Sequence, residues 1–142
     1  MEIKNIICSA MGVIGAFIAS IFGGWNAALS TLCIFMVIDY VTGMVVAGVF
    51  HASPKTASGS LESRAGIKGL FRKCMIFLYV FVAHRLDIAI GTTYVKDLVC
   101  IGFICNEVLS ITENAGLMGI PIPAPIVNAI EILKNKNQVD TD

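Results

Sequence analysis

The stretch NIICSAMGVIGAFIASIFGGWNAALSTLCIFMVID, residues 5–39, decides the fold. No charged side chain appears between Lys4 and Asp39, a run far longer than the ~20 residues that one membrane helix needs. It is punctuated by Gly23-Gly24-Trp25-Asn26. Two glycines and an Asn mark a turn, and Trp is enriched at membrane–water boundaries. The stretch therefore reads as two spans, about 5–22 and about 26–50. A secretory signal peptide is the alternative for the first. It lacks a strongly basic start and a clear small-residue cleavage site.

The rest of the chain extends this reading. Residues 51–69, HASPKTASGSLESRAGIKG, are polar, small and turn-rich and form the expected loop. An apolar run follows over 70–90, Gly91-Thr92-Thr93 makes a short turn, and a fourth span covers 94–118. Pro121, Pro123 and Pro125 end it. Pro125 suits the first turn of a last short helix, 125–135. There Ile126, Ala129, Ile130 and Leu133 recur at helical spacing, as in a segment lying on a membrane surface. The tail from Lys134 onward reads as solvated. The expectation is a single all-α membrane domain over 1–142, with four transmembrane helices and a C-terminal interfacial amphipathic helix. Three spans, with the first helix removed or lying on the surface, is the alternative. Basic residues set the orientation: Lys55, Arg64, Lys68, Arg72 and Lys73 against Glu62 place the 51–73 segment in the cytoplasm, and four spans put both termini there.

Composition agrees. Of 142 residues, 56% are hydrophobic and 14% charged, against about 25% charged in an ordinary soluble domain. Ten basic residues balance ten acidic ones, leaving no basic surface for nucleic acid. The five cysteines lie in apolar runs without C-x-x-C or His partners and read as small buried hydrophobes. His51 reads as a loop residue and His84 as a polar group at the membrane boundary. No nucleophile–base arrangement, phosphate-binding turn or metal motif is present, so no catalytic, cofactor or metal site is expected.

Polar residues within spans carry the information. An Asp or Arg at a span's centre costs about 2.5–3.5 kcal/mol. Asp39 lies near the middle of the second span, and Asn106 and Glu107 near the middle of the fourth. At about 100° per residue from Asn106, Ser110 falls at about 40°, Glu113 at −20°, Asn114 at 80° and Glu107 at 100°. These five occupy a stripe about 120° wide. It faces either protein or water. Arg85 and Asp87 lie in the outer third of the third span, and Arg85 is in reach of the midplane acids. One reading is a bundle interior in which Asp39, Arg85 and Glu107 satisfy one another; the other is a water-lined oligomer surface. In the first two spans Gly12, Ala16 and Ser20, Gly15, Ala19 and Gly23, and Gly43 and Ala47 repeat at four-residue spacing, which lets membrane helices approach closely.

The motifs Asp39-Tyr40-Val41-Thr42-Gly43, Ser63-Arg64-Ala65-Gly66-Ile67-Lys68-Gly69-Leu70, His84-Arg85-Leu86-Asp87, Asn106-Glu107-Val108-Leu109-Ser110-Ile111-Thr112-Glu113-Asn114 and Gly119-Ile120-Pro121-Ile122-Pro123 occur in this order. Together they resemble the toxin-secretion and phage-lysis holin family, which includes the clostridial holin encoded beside the large toxin genes. The resemblance covers 36–133, and the first helix lies outside it. It implies a non-enzymatic phage or prophage protein of the bacterial cytoplasmic membrane. Such a protein oligomerises with itself into holes that release an endolysin or a toxin. Residues matching the family pattern are Asp39, Gly43, Gly66, Lys68, Asp87, Asn106, Glu107, Glu113 and Asn114. With Arg85 and Ser110 added, Gly66 and Lys68 set aside, they are the candidates for pore lining or the oligomer interface. A small multispan exporter using Asp39 and Glu107 to bind a cation or proton is the competing class, and an accessory subunit glued to a larger partner is the third.

Overall fold

The computed structural model describes residues 2–139, with side chains through residue 132. It contains five helices and, among the described residues, no strand: α1 (Glu2–Ile21), α2 (Ala27–Gly48), α3 (Ser63–Ile90), α4 (Val95–Leu117) and α5 (Ala124–Val139). Helices α2, α3 and α4 form the bundle, with α4 packed against both others.

The helix ends follow from local sequence. Gly23 and Gly119 have φ of 71° and 75°, the left-handed conformation that closes a helix on its own last carbonyls. After α1, Gly23 N–H donates to the Ser20 carbonyl at 3.1 Å and Gly24 N–H to Ala19 at 2.9 Å. After α4, Gly119 donates to Gly116 at 3.0 Å and Ile120 to Ala115 at 3.0 Å. Asn26 caps α2, its side-chain oxygen accepting from Leu29 N–H at 2.9 Å, which satisfies an otherwise orphaned donor. Gly23 also lies against the ring of His84, where an added Cβ has no room. Gly23→Ala should therefore destabilise the protein by about 1–3 kcal/mol through backbone strain and the clash, read as a lower unfolding midpoint in detergent.

The buried faces follow a heptad-like row on each helix. On α2 it contains Leu29, Leu32, Met36, Asp39 and Val46; on α3 Val80, Ala83 and Asp87; on α4 Lys96, Cys100, Glu107 and Asn114. Such 3.5-residue spacing gives slightly tilted, left-handed packing. The core consists of Leu29, Leu32, Met36, Val80 and Cys100, flanked by Phe22, Phe77 and Phe103.

The outside is inverted relative to a soluble protein. Ile34, Val37, Ile38 and Val41 on α2, Phe71, Met75, Leu78, Tyr79 and Val82 on α3, and Leu98 and Ile101 on α4 are all exposed. A soluble monomer rarely leaves contiguous apolar surface of this extent uncovered, whereas lipid is its natural solvent. Helices α1 and α2 are long and apolar enough to cross a membrane. Helix α2, with 22 residues, is about 33 Å long, matching the ~30 Å hydrocarbon layer. Helices α3 and α4 reach spanning length with 28 and 23 residues but are not apolar enough to meet the same criterion.

Several expectations change. Helix α3 begins at Ser63, so the last seven residues of the expected 51–69 loop are its polar first turns. α5 runs from Ala124 to Val139, longer than 125–135. Its Ile130 is buried against the bundle while Ile126 and Ala129 are exposed; the Leu133 side chain and the tail side chains lie outside the described residues. Only Cys100 of the five cysteines is buried. Cys33 and Cys105 are half-buried, and Cys8 and Cys74 are exposed on apolar helix faces. No residue of α1 is buried, and an added Cβ at Gly12 or Gly15 meets nothing. The small residues Gly12, Gly15, Ala16 and Ser20 are thus exposed, and Ala19 is half-buried near the end of the helix.

Candidate functional site

A buried ion cluster sits between α2, α3 and α4. The Lys73 ammonium donates to Asp39 Oδ2 at 2.8 Å and to Glu107 Oε2 at 2.6 Å. All three side chains are nearly buried, at 12%, 10% and 7% exposure. Two carboxylates in one apolar bundle repel each other unless a cation lies between them. Lys73 fills that position. Asn114 completes the cluster from α4, its amide donating to Thr42 Oγ1 at 2.9 Å and to Asp39 Oδ1 at 3.3 Å. Gly43 lies beside it: a Cβ there would stand 3.8 Å from the Asn114 amide nitrogen, an ordinary contact.

The expected partner was Arg85, and the structure corrects it. Arg85 is exposed and makes no ion pair among the described residues. It lies on a different flank of α3 from the inward row Lys73, Ile76, Val80, Ala83 and Asp87. In the sequence Lys73 reads only as a topological charge at the end of a loop. Its place on that row, three residues before Ile76 and seven before the buried Val80, is the available clue.

Asp87 is buried but lines no channel in this chain. Its carboxylate accepts from Thr92 Oγ1 at 2.6 Å, Val95 N–H at 3.0 Å and Lys96 N–H at 2.9 Å. It caps the N-terminus of α4 from the end of α3, satisfying free amides next to the positive end of the helix dipole. Lys96 and Asp97, not singled out in the sequence, lie beside it. Lys96 donates from its ammonium to the Phe22 carbonyl at 2.9 Å, and Asn26 donates to Asp97 at 2.8 Å. These contacts tie the α1–α2 turn to the α3–α4 turn at one end of the bundle. Asp87→Ala removes three hydrogen bonds there and should cost about 1–2 kcal/mol, the upper part of the range for a lost cap, seen as a lower unfolding midpoint with the helix content retained.

The polar stripe of α4 is divided. Glu107 and Asn114 are buried and Ser110 is half-buried, whereas Asn106 and Glu113 are exposed. One edge of the stripe thus seals the bundle. The other edge lies on its outside, beside Gly102, Leu98 and Gly116, which are exposed as well.

Comparison with known proteins agrees with this picture. The profile of the bacteriophage holin family matches residues 16–135, which include the last six residues of α1 and all of the bundle. A protein of Halalkalibacterium halodurans is 40% identical over 128 residues, 86% of this chain and 89% of its own length. A 14.9 kDa protein encoded in the nagH 3' region of Clostridium perfringens is 34% identical over 137 residues, 95% of this chain and 98% of its own. A protein named probable holin, from Bacillus phage phi105, is 32% identical over 115 residues, 80% of this chain and 79% of its own. No solved structure matches. With an apolar exterior, an ionic interior and this match over most of its length, the chain is a membrane protein, not an enzyme, and belongs to the bacteriophage holin family.

Proposed function

We propose that this protein is a phage or prophage holin. It accumulates in the bacterial cytoplasmic membrane and then oligomerises into lesions that let an endolysin, or in a toxin locus a toxin, out of the cell. The observation that carries this reading is the divided stripe of α4. Glu107 and Asn114 are satisfied inside the bundle, while Asn106 and Glu113, exposed on a surface otherwise suited to lipid, make no side-chain hydrogen bond or ion pair among the described residues. Polar groups in hydrocarbon are costly, so this edge favours contact with other copies. A hole wide enough for a folded enzyme needs a polar wall, and 142 residues cannot surround one.

In this account α1 to α4 span the membrane, both termini are cytoplasmic and α5 lies at the surface. The dormant state keeps the inward edge of the stripe on Asp39 and Lys73. Activation is a population shift in which contacts within a chain give way to contacts between chains and to water. A cation-coupled exporter would need Asp39 and Glu107 free to take the transported ion, and Lys73 holds both.

The test is reconstitution into vesicles loaded with both a small dye and a folded protein of endolysin size. Above a threshold protein density, both should escape together. Release of dye with retention of the protein cargo, or no release, would rule the reading out.

A further inference from the structure

A cavity of about 490 Å³ opens at the end of the bundle that carries the 51–62 loop. Its floor is the Asp39–Lys73–Glu107 cluster. Above the floor it is rimmed by Lys55 from the loop and by Lys68 and Arg72, one helical turn apart on α3. Among the described residues none of these three rim cations has a carboxylate within ion-pair distance. The one acid at the rim, Glu62, accepts from the Ser58 hydroxyl at 3.1 Å.

We propose that this cavity is a binding site for a phosphate group. Three features point the same way. The three rim cations are uncompensated, and the floor acids already share Lys73, so an anion is favoured at the rim and kept from the depth. The N-terminus of α3 opens onto the same space through Glu62, Ala65 and Gly66, and Glu62 makes no side-chain capping bond. The start of a long helix, with the positive end of its dipole, thus borders the cavity. Gly66 and Gly69 line the same space beside Tyr40, where an added Cβ would make only ordinary contact with the hydroxyl and the ring. Finally, Met44, Leu61 and Ile76 give one wall an apolar surface, suited to the glycerol and upper acyl chain of a lipid. Basic pockets between membrane helices bind anionic headgroups in this way.

A phosphodiester of an anionic phospholipid and free inorganic phosphate share this chemistry, and the experiment separates them. The full chain is placed in nanodiscs of equal phosphatidylglycerol and phosphatidylcholine, released, and weighed by native mass spectrometry with its retained lipid. Wild type should retain phosphatidylglycerol in preference. Each rim cation is worth about fivefold in affinity, so Lys68→Gln with Arg72→Gln should lower retention about 30-fold. Lys55→Gln, in the loop and outside any helix, should lower it about fivefold and serves if the double variant does not fold. Arg64→Gln removes the same charge from the same helix outside the cavity and should leave retention unchanged. If instead phosphatidylglycerol is not preferred but delipidated protein broadens the phosphorus resonance of inorganic phosphate, and Lys68→Gln with Arg72→Gln abolishes that, the site takes free phosphate. Equal losses from Arg64→Gln and the rim variants, or neither ligand binding, would overturn the proposal. Because no lysis is measured, the result stands apart from the lesion-forming role.

Discussion

Lys73→Met should be the most damaging single substitution in the bundle. It leaves Asp39 and Glu107 facing each other with no cation between them. Removing one partner of a buried ion pair typically costs about 3–5 kcal/mol, a large share of the roughly 5–15 kcal/mol that holds a domain together. The variant should accumulate poorly in membranes and unfold early in detergent titrations. The informative companion is the triple replacement Lys73→Met, Asp39→Asn and Glu107→Gln. It removes every charge at once and should recover most of the lost stability, because an intact buried cluster adds little over a neutral one. If Lys73→Met accumulates and unfolds like the wild type, the cluster does not hold the bundle together. The triple variant also separates two roles. A merely structural cluster would leave its lysis timing untouched once stability is restored, whereas the proposed two-state surface makes that timing shift.

The second large effect concerns function more than stability. Asn106→Leu with Glu113→Leu should delay or abolish lysis while the protein accumulates at least as well as wild type. Both side chains are exposed on α4. Leu in their place removes the cost of holding an amide and a carboxyl group against lipid and suits lipid. Contacts between chains lose hydrogen bonds instead, each worth about 0.6–2 kcal/mol between membrane helices. The monomer is stabilised and the oligomer weakened, so the two changes add in the direction of dormancy. Native gels should show fewer large assemblies, and cultures should pass the normal onset without clearing. Unchanged onset would remove this edge of α4 from the mechanism.

Much of the fold was legible because lipid demands simple patterns. The uncharged run of residues 5–38, the Gly23–Asn26 turn and the Gly91–Thr93 turn located α1, α2 and α4 to within a few residues. The start of α3 was not legible. Ser63 to Gly69 has the polar, small composition of a loop, yet composition alone cannot separate a loop from a helix continuing into water. The pairing within the bundle was misread for a related reason. Mid-span acids were matched to the nearest charge inside the apolar run, Arg85, although membership of the inward row of α3 selects Lys73. On α4 the polar residues were correctly placed on one sector, but a sector about 120° wide spans the boundary between a buried and an exposed face. Only packing shows that Glu107 and Asn114 lie on one side of it and Asn106 and Glu113 on the other. Asp87, expected near a pore, is a helix cap, a role fixed by three hydrogen bonds from across a turn that no spacing rule reveals.

The most direct measurement is to induce the gene in a bacterium and follow membrane potential and culture density, with and without a cytoplasmic endolysin. The account predicts normal growth, then abrupt depolarisation at a fixed delay, with clearing of the culture only when endolysin is present. Steady growth with an intact potential, in either strain, would contradict it.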